Sequence, residues 1–281
     1  MSSPRALGMT LLALLAFAGN SLLCRLALKH GSIDAASFTC IRIASGAVAL
    51  WLIRRVHSRS GDAAGSWRSA LALFAYAAGF SYAYVSLPAA TGALLLFGAV
   101  QVTMIGYGLW TGERLRTLQL VGLAIALGGL VGLLLPGLTA PPWRGSVLML
   151  GAGVAWGVYS LRGRRAGDAT AVTAGNFLRA VPMAAALSLA TFPWGSVERA
   201  GMGYAIASGA LASGAGYAIW YAALPGLKAT TAATAQLSVP VLAAAGGIVL
   251  LGESLTPRFL IASAATLVGI ALAIFYRAPS R

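Results

Sequence analysis

The chain has 281 residues, 59% of them hydrophobic and only 9% charged. A soluble domain carries about a quarter charged residues, so this chain cannot dress a water-facing surface, and a soluble enzyme or binding module is excluded. A net charge of +14 would suggest nucleic acid in a soluble protein, but here the basic residues sit in short loops between apolar runs, which is topology control and not a phosphate-binding stripe.

A bilayer core of about 30 Å takes roughly 20 apolar residues as a helix. That ruler predicts an all-α integral membrane protein with ten spans, near 6–28, 35–53, 70–87, 90–111, 117–135, 145–161, 169–192, 202–224, 230–251 and 258–276. The first span holds Gly19, Asn20, Ser21, Cys24 and Arg25; no small-residue cleavage site follows it, so it reads as a span and not a signal peptide. The second carries Cys40 and Arg42. The third stacks Tyr76, Phe80 and Tyr84 on one face at i, i+4, i+8, includes Ser81, and closes on Leu87-Pro88. The fourth holds Gln101 and Thr103 and ends in Gly112-Glu113-Arg114-Leu115; the fifth contains Gly129.

A Pro-rich stretch, Pro136 to Pro142, precedes the sixth span with Gly157. The seventh carries Asn176, Arg179 and Pro182. The eighth holds Ser208, Ser213, Gly214 and Gly216, sets Tyr217, Trp220 and Tyr221 at i, i+3, i+4, and closes on Leu224-Pro225. The ninth holds Thr234, Gln236, Ser238 and Pro240 and ends in Gly252-Glu253-Ser254-Leu255; the tenth contains Gly269. Trp51, Trp67, Trp110, Trp143 and Trp194 lie near span ends, where amphipathic rings prefer the interface, while Trp156 and Trp220 inside spans need another reason. Cys24 and Cys40 both lie in apolar runs and indicate neither a disulfide nor a metal site.

Thirteen basic residues fall on the chain ends and the loops after even-numbered spans: Arg5, Arg54, Arg55, Arg59, Arg68, Arg114, Arg116, Arg162, Arg164, Arg165, Lys228, Arg277 and Arg281. The odd-numbered loops hold four, Lys29, Arg144, Arg199 and Arg258. This bias predicts both termini on the cytoplasmic side of a bacterial-type inner membrane.

The landmarks recur in order at a nearly constant offset. Glu113 and Glu253 are 140 apart, while Arg42 and Arg179, and Pro88 and Pro225, are 137 apart. The chain divides into a first five-span unit at 1–136, a linker at 137–143 and a second unit at 144–281. An odd number of spans per unit inverts the second unit in the bilayer, the architecture of many secondary transporters, whose substrate site lies near the midplane between the repeats.

The doubled five-span unit, its arginine in the second span and the Gly-Glu ending the fourth resemble the drug/metabolite transporter superfamily, in its ten-helix EamA branch, and within it the YddG-like group of bacterial aromatic amino-acid exporters. The resemblance implies two inverted repeats around a central cavity, and export of small metabolites by alternating access. Pro240 departs from the repeat, since the equivalent position holds Val100, which confines any hinge there to one half.

Arg25, Arg42 and Arg179 are the charges inside spans. An arginine near the bilayer centre costs at least about 2.5–3.5 kcal/mol on insertion scales, so it faces a cavity or a partner. Arg42 and Arg179 either attract a substrate carboxylate or staple neighbouring helices through carbonyls or through Glu113 and Glu253; Arg25, near a span end, can snorkel. Asn20, Gln101, Asn176 and Gln236 either bind substrate or join helices, as do Ser21, Ser81, Thr103, Ser208, Ser213, Thr234 and Ser238. The rings Tyr76, Phe80 and Tyr84 opposite Tyr217, Trp220 and Tyr221 make two aromatic walls suited to a flat substrate, or else pack against helices and lipid. Pro182 and Pro240 are hinge candidates or static kinks.

The reading is a secondary transporter exporting small metabolites, foremost amino acids including aromatic ones, with the bilayer and a small-molecule substrate as partners and no cofactor. Oligomeric state is left open. A nucleotide-sugar or multidrug carrier of the same superfamily is the alternative. A membrane-embedded enzyme is disfavoured, because no Asp, Glu or His falls inside a span, and a channel because no charged ring or re-entrant filter is present.

Overall fold

The computed structural model describes residues 4–56, 64–112, 117–137, 140–163, 168–191, 195–223 and 235–275. Helices occupy them almost throughout, as they must where lipid offers the backbone no hydrogen-bond partner. In chain order they are α1 (Pro4–Lys29), α2 (Ala35–Val56), α3 (Trp67–Tyr84), α4 (Ala89–Trp110), α5 (Thr117–Leu134), α6 (Trp143–Gly163) and α7 (Ala169–Ala190). The eighth span is α8 (Arg199–Ala207), a π-helical stretch (Ser208–Ala215) and α9 (Gly216–Ala223), end to end. Then come α10 (Ser238–Leu251) and α11 (Pro257–Phe275). Six of these are long and apolar enough by themselves to cross a membrane.

The termini of several helices follow from single side chains. Asp34 Oδ1 accepts from the backbone N–H of Ala36 and Ser37 at the start of α2, at 3.0 and 2.9 Å. Asp168 does the same for Thr170 and Ala171 of α7, and Thr256 Oγ1 accepts from Phe259 N at the start of α11. Ser66 caps α3, accepting from Ser69 N at 3.2 Å, which starts that helix three residues before the 70 expected from hydropathy. Of the described acids that hydropathy assigns to loops, Asp34 and Asp168 thus serve as caps, while Glu198 precedes α8 without a side-chain cap bond.

Spans equivalent in the two halves pack on each other: α2 on α7, α5 on α11, and α4 on α10. Three further packings come in mirrored pairs. As α3 packs on α6, so α1 packs on the eighth span; as α4 packs on α6, so α10 packs on α1; as α3 packs on α7, so the eighth span packs on α2. Two inverted five-span units related by a two-fold axis in the membrane plane leave this pattern. The α5–α11 crossing is a backbone contact: a Cβ on Gly122 would lie 2.6 Å from the Gly269 carbonyl oxygen, so only glycine fits there.

The odd-numbered loops gather at one end of the bundle, as alternating spans require. Ile33 and Val197 form an antiparallel bridge, and Asp34 N donates to Ser196 O at 2.9 Å. Trp51, Trp67, Trp110 and Trp143 are exposed at helix ends as expected for interface anchors, and Trp194 lies outside the described residues. Leu224-Pro225, Thr234 and Glu113 to Arg116 also lie outside them.

Two expectations about helix interiors change. Span eight is not uniformly α-helical, since eight of its residues are π-wound. Pro240 stands in the first turn of α10, which begins at Ser238, so it removes no intrahelical bond of α10. A turn at Leu237 separates that helix from helical residues 235 and 236. Pro182 lies within α7, which runs on through it, with its ring on the exposed face.

Candidate functional site

Arg42 is the largest side chain fully buried in the described protein, with 2% of its surface exposed. Helix α2 aims it at α3 and the π-helical stretch. Its Nη2 donates to the Tyr76 hydroxyl at 2.9 Å and its Nε to Ser213 Oγ at 3.3 Å. The guanidinium carbon lies 4.8 Å from the Phe80 ring centroid and 5.1 Å from that of Tyr76, so cation–π attraction adds to the hydrogen bonds. Nη1 is buried with no hydrogen-bond partner among the described residues. A guanidinium keeps its charge at any physiological pH, and no described carboxylate forms an ion pair with this one.

The polar chain continues into α1. Asn20 Nδ2 donates to the Tyr76 hydroxyl at 3.4 Å, and Asn20 Oδ1 accepts from Ser208 Oγ at 2.6 Å. Ser208 and Ser213 both belong to the π-helical stretch. Tyr76 and Ser213 stand at the same repeat offset as Arg42 and Arg179, so Arg42 bridges one residue from each half at equivalent places.

The aromatic faces expected on spans three and eight do not confront each other across a gap; Trp156 of α6 joins them. Its ring centroid lies 4.8 Å from Tyr76, 5.3 Å from Tyr159 and 5.1 Å from Tyr217. Phe17 of α1 extends the ladder, edge-on to Tyr217 and Trp220, each at 5.8 Å. These spacings suit attractive ring pairs. Trp156 stands out in the sequence as a tryptophan away from any span end, and Ser208 and Ser213 as polar residues within a span, whereas Phe17 and Tyr159 carry no distinguishing signal.

Other expected site residues are placed elsewhere. Tyr84 is a packing residue: its hydroxyl donates to Ala89 O at 3.2 Å and its ring fills the notch over Gly92. Asn176 Oδ1 accepts from Ser66 N at 3.0 Å, and its amide donates to Tyr159 at 3.4 Å, tying α7 to the entry of α3. Arg179 is half-buried and donates to Gly175 O, one turn back on its own helix, at 3.0 Å. Gln101 is buried on α4, and Gln236 and Tyr221 are half-buried; none of the three is a partner of Arg42.

Glu253 pairs with neither Arg42 nor Arg179. Its Oε1 accepts from Arg25 Nε at 3.2 Å and its Oε2 from the backbone N–H of Ala89, the first residue of α4, at 2.8 Å. Arg25 Nη1 also donates to the carbonyls of Tyr84 and Val85, at 2.9 and 3.0 Å. The arginine at the end of span one is therefore a staple across both halves. Among the described residues no group of three His, Cys, Asp or Glu side chains is placed to hold a metal.

A ten-span bundle of inverted halves, with a buried cation that no described carboxylate pairs and aromatic rings where the halves meet, defines a membrane-embedded carrier. The chain belongs to the EamA-like transporter family, whose pattern it matches over residues 143–275. It is 59% identical to an uncharacterized protein of Pseudomonas aeruginosa over 273 residues, covering 97% of this chain and 95% of that one. Over 125 residues it is 38% identical to the threonine/homoserine exporter RhtA of Escherichia coli K12, 42% of this chain and 41% of RhtA. A solved structure titled only as the crystal structure of a protein shares the fold, with a TM-score of 0.68 over 97% of this chain and 98% of that one, at 20% identity. The protein is a multi-pass membrane transporter.

Proposed function

We propose that this protein exports amino acids, aromatic ones included, from the cytoplasm of a bacterium across the inner membrane, by alternating access between units 1–136 and 144–281 joined at 137–143. The observation that carries this reading is Arg42. A buried, permanently charged guanidinium with one nitrogen unpaired is costly unless an anion completes it, and a carboxylate matches its geometry best. Rings of Tyr76, Phe80, Trp156 and Tyr217 around it favour a substrate with an apolar or aromatic side chain. The partial likeness to an amino-acid exporter supports the same class, and the basic-residue bias supports cytoplasmic termini. A multidrug carrier for organic cations is disfavoured, because Arg42 would repel its substrate.

The test is flux in liposomes containing the purified protein, with radiolabelled L-phenylalanine or L-threonine and a competing panel of amino acids, amines and nucleotide sugars. Saturable flux inhibited by amino acids but not by the corresponding amines is expected. Flux inhibited by amines alone, or by nucleotide sugars alone, overturns the assignment.

A further inference from the structure

We propose that the π-helical stretch Ser208–Ala215 sets substrate specificity by orienting Arg42 so that a single carboxylate meets it end-on; this rests on the reading of Arg42 as the carboxylate anchor. A guanidinium has five N–H donors in a planar fork, and offers a carboxylate two bidentate edges: the side edge of Nε with Nη2, and the end edge of Nη1 with Nη2. Here the protein's own hydroxyls hold both nitrogens of the side edge, Ser213 at Nε and Tyr76 at Nη2. Nη1 and the second proton of Nη2 remain, and they form the end edge.

The winding of the helix makes this arrangement. In an α-helix residues advance by about 100° each, so positions five apart point about 140° away from each other. Bonding from i to i+5 instead brings such positions back to nearly one face. Ser208 and Ser213 are five apart, and both reach the Arg42 network, Ser213 directly and Ser208 through Asn20 and Tyr76. The stretch also rests on α2 itself: a Cβ on Gly209 would collide with the carbonyl oxygen of Arg42 and with Ser45 Oγ. Backbone contact of this kind transmits the position of the π-turn to Arg42 without a flexible intermediary. π-turns within α-helices concentrate at functional sites, and this one clamps both ends of the polar chain.

The consequence is discrimination between an acid and its amide. The experiment measures inhibition of transport by L-phenylalanine against L-phenylalaninamide, and by L-threonine against L-threoninamide, for the wild type, Ser213→Ala, Ser213→Thr, Ser208→Ala and Arg42→Gln. Ser213→Ala should narrow the acid-over-amide preference by about tenfold, the order expected for one hydrogen bond to a charged group, through KM more than through maximal rate. Ser213→Thr, which keeps the hydroxyl, should restore it, and Ser208→Ala should narrow it less. Should Ser213→Ala fail to fold, Ser208→Ala carries the same reading. Wild-type discrimination in both serine variants, with discrimination lost in Arg42→Gln, overturns the role of the π-turn and leaves the anchor standing. Discrimination retained in Arg42→Gln, or no inhibition by either acid, overturns the anchor and the proposal together.

Discussion

Replacing Glu253 with alanine removes a side chain that joins α1 and α4 to the end of α10. The pair it forms with Arg25 is shielded, with side-chain exposures of 12% for Arg25 and 9% for Glu253. Removing one partner of a buried ion pair costs about 3–5 kcal/mol, because the other charge is left uncompensated. Arg25 would keep its bonds to the Tyr84 and Val85 carbonyls, which places the loss toward the lower end. The uncapped N–H of Ala89 adds about 1 kcal/mol, since Pro88 provides no side-chain cap of its own. Glu253→Ala is therefore expected to cost about 3–4 kcal/mol. Glu253→Gln keeps an acceptor for Ala89 and loses only the charge, for about 1–2 kcal/mol. Unfolding in mixed micelles, followed by tryptophan fluorescence, reads both. The decisive comparison is a double-mutant cycle with Arg25→Ala, in which the double variant should be less destabilised than the two singles together by at least about 1 kcal/mol. Effects that add within about 0.5 kcal/mol would show that the pair is a surface contact of no consequence and refute the reasoning.

Gly209→Val should abolish transport and lower the unfolding midpoint, because the new side chain meets the Arg42 carbonyl, which belongs to a packed helix and cannot yield; wild-type behaviour in both measurements contradicts the backbone contact. With Cys24 and Cys40 replaced by serine, Ser58→Cys and Ser280→Cys should resist a membrane-impermeant thiol reagent in intact cells, and labelling from outside would reverse the topology. Alanine at Tyr76, Phe80, Tyr217 or Trp220 should weaken transport of aromatic amino acids several-fold more than that of small aliphatic ones; equal losses for the two classes would mark the rings as packing alone.

The sequence by itself determined the class of solvent, the number of spans, their alternation and the two-fold plan, because each depends on local hydropathy, on charge placement and on a repeat offset. It also singled out Arg42, since a charge in an apolar run is conspicuous without any structure. Tertiary structure decided which polar group meets which. In lipid the hydrophobic effect does not choose between one apolar helix face and another, so register and neighbour are set by small residues and by close fit. That is why Glu253 finds Arg25 and not Arg42. Arg42 and Arg179, equal by sequence, part company in the same way, one buried among rings across both halves and the other bonded back to its own helix. Trp156 links the aromatic faces of spans three and eight only because α6 packs against α3 and brings it there. The π-turn belongs to the same category. Its eight residues include nothing an α-helix would exclude, and their winding is seen only with Gly209 seated on the carbonyl of Arg42.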